Sequence, residues 1–231
     1  MTATGPVACY YGAGELDRLV RYGRVVLQPD AYGPAELERL RRVGTQPLAY
    51  LSLSEDTGPP APWQRGRRNP DWGGAMVVVG DPRWVDHVLG EARSALDRGF
   101  EGLFLDQLNV EFTFPEDLPD LLALIAEVRA VAGPAYLLAN RGFAMLPRLA
   151  ELVDGVLFES FSARWVGRGY APWPDDVLEV HAGVARQLLD LGLDVFCLDY
   201  AEDDELAAFA RYRAARFGLP CFVSNRRLSL V

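Results

Sequence analysis

The sequence predicts an α/β fold: a single (β/α)8 TIM-type barrel domain that spans residues 1–231 and carries an elaborated loop after its third strand. Short apolar segments alternate with amphipathic helical ones along the whole chain, which is the pattern of a parallel sheet built from βα units. Eight apolar segments in a chain of 231 residues match the eight strands of a closed barrel. A doubly wound open sheet is the alternative.

The predicted strands are short, continuously apolar and bounded by turn residues, as expected for strands buried on both faces: residues 7–11, 24–28, 47–53, 102–106, 135–140, 155–159, 194–199 and 220–224. The clearest helix between them covers residues 118–131, with Leu121 and Ile125 on one face and Glu127 on another. A glycine follows each helical run and tolerates the left-handed conformation that ends a helix: Gly23, Gly44, Gly99, Gly133, Gly192 and Gly218.

The connection after the third predicted strand, residues 54–74, is rich in proline, glycine, tryptophan and arginine. It predicts an elaborated βα loop, with residues 76–79 as a ninth strand candidate. Long βα loops of barrels commonly shape the substrate cleft. The alternative is a poorly ordered surface excursion.

Composition excludes several kinds of chemistry. All 23 basic residues are arginine, so the chain has no lysine for a Schiff base, for covalent pyridoxal attachment or for a P-loop. His87 and His181 lie in helical segments, which leaves little for a Ser–His–Asp triad or a multi-histidine zinc site. A formal net charge of −9 disfavours a nucleic-acid partner and fits a neutral or cationic ligand. No uncharged stretch reaches the ~18 residues of a membrane span. No cofactor and no metal ion is predicted.

Cys9, Cys197 and Cys221 form no CxxC pair and lie in apolar segments, which indicates buried, reduced thiols. Because their strands would be neighbours in a barrel, a thiolate metal site is the alternative. The first residues, Met-Thr-Ala-Thr-Gly-Pro, have neither the basic nor the apolar region of a signal peptide. The sequence as written therefore predicts a cytoplasmic protein, or a secreted one if an export signal has been removed.

Two predicted strands start with a glycine and end in a lone acid, at Asp106 and at Glu159. Side-chain alternation directs Phe104 and Asp106 into the barrel, and it directs Leu103 and Leu105 toward the helices. The two strands would be second neighbours, ~10 Å apart, so we expect inward-reaching carboxyl groups to lie roughly 5–7 Å from each other. Such a pair is the minimum equipment for acid–base cleavage of a glycosidic bond, and this range includes both retaining and inverting geometries.

Polar and aromatic side chains surround the same predicted rim and suit a carbohydrate-binding cleft. Besides the acid pair, the predicted substrate-binding residues are Tyr10, Asp30, Tyr50, Glu55, Asn109, Asn140, Trp165, Asp199, Tyr200 and Asn225, with Tyr11 close to them.

The chain resembles glycoside hydrolase family 114, the endo-α-1,4-polygalactosaminidase-like barrels, in motifs that run in order over nearly its full length. These are Leu-Ala-Tyr-Leu-Ser at 48–52, Gly-Phe-Glu-Gly-Leu-Phe-Leu-Asp-Gln-Leu-Asn at 99–109, Ala-Asn-Arg-Gly at 139–142, Asp-Gly-Val-Leu-Phe-Glu-Ser at 154–160 and Leu-Asp-Tyr-Ala at 198–201. The most specific are the run into Asp106 and the strand that ends in Glu-Ser. The chain departs from the family pattern at 53–56, where Leu-Ser-Glu-Asp replaces a Gly-Glu followed by aromatic residues.

The resemblance implies a retaining glycosidase that acts on an α-linked galactosamine-type polysaccharide. Asp106 would be its nucleophile, and Glu159 would serve as general acid and then as base. The resemblance further implies that Asn140, Asp199 and Tyr200 contact hydroxyl groups or the amine of the sugar.

Two other functions remain open at this point. One is a barrel that binds carbohydrate without cleaving it. The other is a divalent-metal-dependent lyase or isomerase whose ligands are Asp30, Glu55, Asp106 and Asp199.

Overall fold

The computed structural model describes residues 5–231 and contains an eight-stranded parallel sheet in the order β1-β2-β3-β7-β8-β9-β12-β13. The strands, numbered along the chain, are β1 (Val7–Tyr10), β2 (Arg24–Leu27), β3 (Gln46–Ser52), β4 (Glu55–Asp56), β5 (Gln64–Arg68), β6 (Ala75–Val77), β7 (Gly102–Asp106), β8 (Tyr136–Asn140), β9 (Gly155–Glu159), β10 (Ala163–Trp165), β11 (Tyr170–Pro172), β12 (Asp194–Tyr200) and β13 (Cys221–Ser224). Residues 1–4, which belong to the segment on which the prediction of a cytoplasmic protein rests, lie outside the described range.

The sheet closes into a barrel. Its two end strands, β1 and β13, lie side by side, and just beyond them the Tyr11 N–H donates to the Leu228 carbonyl at 2.8 Å. The strands follow one another around the barrel in chain order, whereas a doubly wound sheet reverses its order at a switch point. The predicted closed barrel is therefore confirmed and the open sheet is wrong. All eight predicted strands are present, with ends that differ by one residue at most.

Helices connect most of the barrel strands: α1 (Leu16–Leu19), α2 (Pro34–Arg42), α3 (Pro82–Asp97), α4 (Leu118–Ala132), α5 (Asp175–Asp190) and α6 (Asp204–Ala215). Helix α4 covers the helix predicted at 118–131 and ends at Gly133, whose φ of 56° only glycine adopts readily. Between β8 and β9 the chain makes two 3-10 turns, Phe143–Met145 and Arg148–Glu151, in place of an α-helix.

The glycines that begin β7 and β9 occupy positions with no room for a side chain. A Cβ on Gly102 would lie 2.3 Å from the Tyr136 carbonyl oxygen, and one on Gly155 would lie 2.5 Å from the Tyr136 hydroxyl oxygen. The Arg24 guanidinium lies over the ring of the same tyrosine, 3.9 Å from its centroid. Close packing at this end of the strands fixes the register that carries the two acids at the other end.

The loop after β3 is an ordered antiparallel sheet in the order β4-β6-β5. Asp56 accepts hydrogen bonds from Trp63 Nε1 and Gln64 Nε2, both at 2.8 Å. Arg65 Nη2 donates to both carboxylate oxygens of Asp117 at 2.8 Å, which ties the small sheet to the start of α4. The elaborated loop is thus confirmed, and the ninth strand candidate is β6, which belongs to the small sheet and not to the barrel.

The cysteines are free thiols; Cys9 and Cys197 are buried and Cys221 is partly exposed. Cys197 and Cys221 face each other across β12 and β13. Within residues 5–231, no group of three histidine, cysteine or acidic side chains could hold a metal ion. In the same range, no helix combines the length and the apolar character needed to cross a bilayer.

Candidate active site

Asp106, Asn140 and Glu159 end three consecutive barrel strands, β7, β8 and β9, and their side chains meet. The Asn140 amide nitrogen Nδ2 donates to Asp106 Oδ1 and to Glu159 Oε2, each at 2.8 Å. Because both oxygens lie 2.8 Å from the same nitrogen, they are separated by at most twice that distance, about 5.6 Å. The structure therefore brings the two predicted acids together through one shared donor.

The Asp106 carboxyl group lies in crowded, partly buried surroundings. Burial raises its pKa above the ordinary value, and the neighbouring Glu159 carboxylate raises it further. Hydrogen bonds from the Asn140 amide, the Gln107 backbone N–H and the Tyr50 hydroxyl act in the opposite direction because they favour the charged form. Three donors thus remain aimed at this acid when it is ionised.

Each acid also accepts a hydrogen bond from a tyrosine hydroxyl group. Tyr200 donates to Glu159 Oε1 at 2.5 Å, and Tyr50 is the corresponding donor to Asp106. Burial is the largest cause that raises the pKa of both phenols. Both hydroxyl groups therefore keep their protons and act as hydrogen-bond donors at neutral pH.

The residue after each of these three strand ends has a left-handed backbone. The φ angle is 64° at Gln107, 58° at Arg141 and 56° at Ser160. A non-glycine residue in this region costs on the order of 1–3 kcal/mol, and such residues cluster at functional sites. The same uncommon conformation thus directly follows each of the three strand ends that carry Asp106, Asn140 and Glu159.

A pocket of about 360 Å³ opens at the pair. Its walls contain seven of the predicted site residues and the nearby Tyr11: Asp106, Glu159, Tyr50, Glu55, Asn109, Asn140 and Tyr200. Sequence reasoning did not assign several other wall residues to the site, among them Gln28, Trp72, Gln107, Arg226 and Arg227. Trp72 lies in the loop at 54–74, whose abundance of tryptophan and arginine was a signal, and Gln107 lies in the motif at 99–109. Arg226 and Arg227 follow the last strand and carry no periodic signal.

Glu55 is a third carboxylate in the pocket walls. Asn69 Nδ2 donates to its Oε1 at 2.7 Å, and burial raises its pKa. A Cβ on Gly74 would lie 2.7 Å from Glu55 Oε2, so the side chain packs closely against the loop backbone. Among the residues that the structure describes, no arginine forms an ion pair with Glu55.

Three loops meet at the rim of the pocket through Arg226. Its guanidinium lies 5.1 Å from the ring centroid of Trp72 and 4.7 Å from that of Trp165. Its Nη2 is 3.2 Å from Asp71 Oδ1, so the positive charge is partly neutralised. Trp72 still exposes 55% of its surface and therefore offers an open aromatic face beside the pocket.

Tyr10 and Asp199 were predicted to contact substrate, and the structure places both outside the pocket walls. Each is next to a residue that does line the pocket, Tyr11 and Tyr200, so strand alternation turns both away from it. The Tyr10 hydroxyl instead donates to the Ala13 carbonyl at 3.3 Å. Asp199 is fully buried, because β12 continues to Tyr200 and places the tyrosine, not the aspartate, at the inward position.

Asp30, Asn225 and Trp165 also lie outside the pocket walls. Asp30 is exposed and pairs with Arg98 at 3.0 Å. Asn225 caps its own turn, since its Oδ1 accepts from the Ser229 N–H at 3.0 Å. Trp165 contacts two residues beside the pocket, Arg226 and Tyr170, and the Tyr170 ring stacks on that of Tyr200.

The ligand set of the metal-dependent alternative does not converge. Asp199 faces away from the pocket. Asp30 pairs with Arg98 outside the walls that Glu55 and Asp106 share, although it lines an adjoining cavity together with Glu55. The geometry therefore contradicts a shared metal site built from these four carboxylates.

Two curated relatives match at 25% identity, and both are uncharacterized proteins. One, from Deinococcus radiodurans, aligns over 217 residues, 84% of this chain and 69% of the relative. The other, from Methanocaldococcus jannaschii, aligns over 213 residues, 80% of this chain and 60% of the relative, so the chain spans less than two thirds of that protein. No protein-family model matches the chain.

Among solved structures, the glycoside hydrolase domain of PelA from Pseudomonas aeruginosa superposes with a TM-score of 0.87 at 28% identity, and the match covers 98% of this chain and 96% of that one. This full-length match agrees with the family 114 motifs at the strand ends. This chain is a glycoside hydrolase that resembles family 114. Ega3 from Aspergillus fumigatus, solved in complex with galactosamine, shares the fold of this hydrolase, with a TM-score of 0.78 at 13% identity over 99% of this chain and 94% of that one.

Proposed function

We propose that this hydrolase cleaves an α-linked galactosamine-type polysaccharide with retention of configuration, using Asp106 as nucleophile and Glu159 as general acid and base. The observation that carries the proposal is the Asn140 amide, which binds both acids and limits the distance between their accepting oxygens to about 5.6 Å. Retaining glycosidases separate their carboxyl groups by about 5–5.5 Å, whereas inverting enzymes leave about 6.5–9.5 Å for a water molecule. The short separation supports double displacement.

In the first step, Glu159 gives its proton to the glycosidic oxygen, the bond from C1 to that oxygen breaks, and an Asp106 oxygen bonds to C1. In the second step, Glu159 takes a proton from water, the water oxygen bonds to C1, and Asp106 leaves as a carboxylate. Asn140, Tyr50 and the Gln107 N–H stabilise that carboxylate. Two inversions at C1 return the α configuration.

The pocket walls support an amino sugar as substrate. Glu55 offers a carboxylate without an arginine partner, and an ammonium group on the sugar would supply the missing positive charge. Tyr50, Asn109 and the exposed ring of Trp72 offer hydroxyl, amide and aromatic contacts for a pyranose. The galactosamine bound to Ega3 supports the same sugar class for this chain.

The direct test measures release of reducing ends from an α-1,4-linked, partly deacetylated galactosamine polymer. We expect activity in the natural protein and a loss of at least about 10³-fold in Asp106→Asn and in Glu159→Gln. Asp30→Asn is the matched control, because this carboxylate lies near the same rim but outside the pocket. It should keep full activity.

An activated substrate separates the two roles. With a dinitrophenyl α-galactosaminide, Glu159→Gln should form the glycosyl-enzyme and then stall, and azide should restore turnover by giving the α-glycosyl azide. Normal turnover of the polymer by both variants would contradict the proposal. Tight polymer binding without cleavage by the natural protein would instead establish the non-catalytic alternative.

A further inference from the structure

The segment that directly follows Glu159 is irregular, and yet its backbone is held from several sides. The Ser160 N–H donates to the Leu198 carbonyl at 2.7 Å, and the Ser160 carbonyl accepts from Trp173 Nε1 at 2.8 Å. Phe161, Ser162 and Ala163 are fully buried. Since Ser160 has a left-handed backbone, the direction of the chain after Glu159 depends on these surrounding contacts.

Asp199 supplies two of those contacts. Its Oδ1 accepts from the Ser162 N–H at 2.8 Å and from the Ala163 N–H at 3.0 Å. The carboxylate is 0% exposed and lies on the outer face of β12, between the barrel and the helices. Burial of an acid at such a place is costly, because a hydrocarbon side chain of similar size would avoid the desolvation.

Two further side chains on the same side hold the carbonyl of Phe161, which belongs to the same peptide group as the Ser162 N–H. The Phe161 carbonyl accepts from Arg213 Nη1 at 3.0 Å and from His181 Nδ1 at 3.0 Å. Arg213 comes from α6 and His181 from α5, so two helices and β12 converge on one three-residue backbone segment. The attraction between the Arg213 guanidinium and Asp199 lowers the cost of both buried charges.

We propose that Asp199 is a positioning residue for Glu159: by fixing the backbone of Ser162 and Ala163, it orients the acid toward the oxygen of the leaving group. This inference rests on the proposed function, in which Glu159 acts as general acid. Misplacement of a catalytic group by about 1 Å can cost on the order of 10²-fold in rate. Asp199 thus acts through the backbone and touches no substrate.

The experiment compares two aryl α-galactosaminides, one with a good leaving group (dinitrophenolate) and one with a poor leaving group (phenolate). Only the poor leaving group needs the acid in the step that kcat/KM reports. Asp199→Asn should lower kcat/KM about 10–100-fold for the phenyl substrate and less than about threefold for the dinitrophenyl one. Trp173→Phe, which removes the bond to the Ser160 carbonyl from a partly exposed site, should change the ratio in the same direction.

Cys197→Ala is the matched control, because Cys197 occupies the same outer face of β12 and is equally buried without a bond to the segment. It should leave the ratio of the two substrates unchanged. The proposal is overturned if Asp199→Asn loses kcat/KM equally on both substrates, or if its ratio of kcat/KM for the two substrates equals that of Cys197→Ala. If Asp199→Asn does not fold, the same ratio in Trp173→Phe decides. Glu159→Gln distinguishes a failure of the positioning role from a failure of the proposed function. If this variant loses kcat/KM equally on both substrates, Glu159 is not the general acid and the proposed function has failed as well. If it loses more on the phenyl substrate, only the positioning role has failed.

Discussion

Asn140 is the residue whose removal tests the site geometry most directly. Asn140→Ala deletes the one nitrogen that donates to both acids at 2.8 Å. A hydrogen bond to a charged group contributes about 1.5–3 kcal/mol, and one pKa unit corresponds to about 1.4 kcal/mol. Because this bond lowers the pKa of Asp106, its loss should raise that pKa and destabilise the ionised carboxylate by about 1.5–3 kcal/mol. The acidic limb of the activity profile should therefore move to higher pH.

The assay is kcat/KM for the dinitrophenyl α-galactosaminide, measured from about pH 3 to pH 8, since this substrate reports the ionised nucleophile without requiring the acid. Asn109→Ala is the matched control: it removes the same side chain from the same pocket wall, where no hydrogen bond to either acid is made. It should raise KM and leave the limb in place. If Asn140→Ala keeps the natural limb and the natural kcat/KM, the shared-donor argument is wrong.

Four further outcomes are expected. Tyr200→Phe removes the donor at 2.5 Å from Glu159 and should cost about 10–100-fold in kcat/KM on the polymer, with unchanged thermal stability. Burial raises the pKa of Asp199 from 3.8 to about 6, so the folded protein retains a proton that the unfolded chain has lost, and this contribution to stability falls as the pH rises from about 4 to 6. Between these pH values the free energy of unfolding of the natural protein should fall by on the order of 3 kcal/mol through this group, and Asp199→Asn should abolish that fall in denaturant unfolding. An unchanged pH dependence in the variant would refute the assignment. Glu55→Gln should raise KM about tenfold for a deacetylated oligosaccharide and leave KM for the N-acetylated one unchanged; equal effects on both would rule out an amine contact. Trp72→Ala should raise KM for the polymer by about fivefold, with no effect on a monosaccharide aryl glycoside, because only a longer chain reaches the rim.

The strands and the acid pair could be predicted because their signals are local. A buried parallel strand reads as a short apolar run, and its period of two tells which residues share a face. Parallel strands that follow one another in a barrel bring their carboxyl ends to one rim. Asp106, Asn140 and Glu159 therefore had to lie near one another once the barrel was inferred, and their hydrogen bonds show that they do.

The same reasoning failed for Asp199, because it assumed that the last residue of the predicted strand points into the barrel. Prediction placed the end of this strand at Asp199, and the structure continues it to Tyr200. A shift of one residue exchanges the inward and outward faces. The pairing of β12 with β9 and β13, which is a tertiary property, decided which of the two neighbours lines the pocket.

The sequence by itself determined the eight strands and the two acids that end two of them, because periodicity along the chain carries that information. Only the tertiary structure decided the rim of the pocket, where Trp72, Trp165 and Arg226 come from loops far apart in the chain and meet in one cluster. Loops have no repeating pattern that links one to another, so their contacts follow from barrel closure and side-chain packing. The physical reason is sequence separation. Alternation relates residues that are neighbours along one strand, whereas the cluster joins residues that come together only when the barrel is closed.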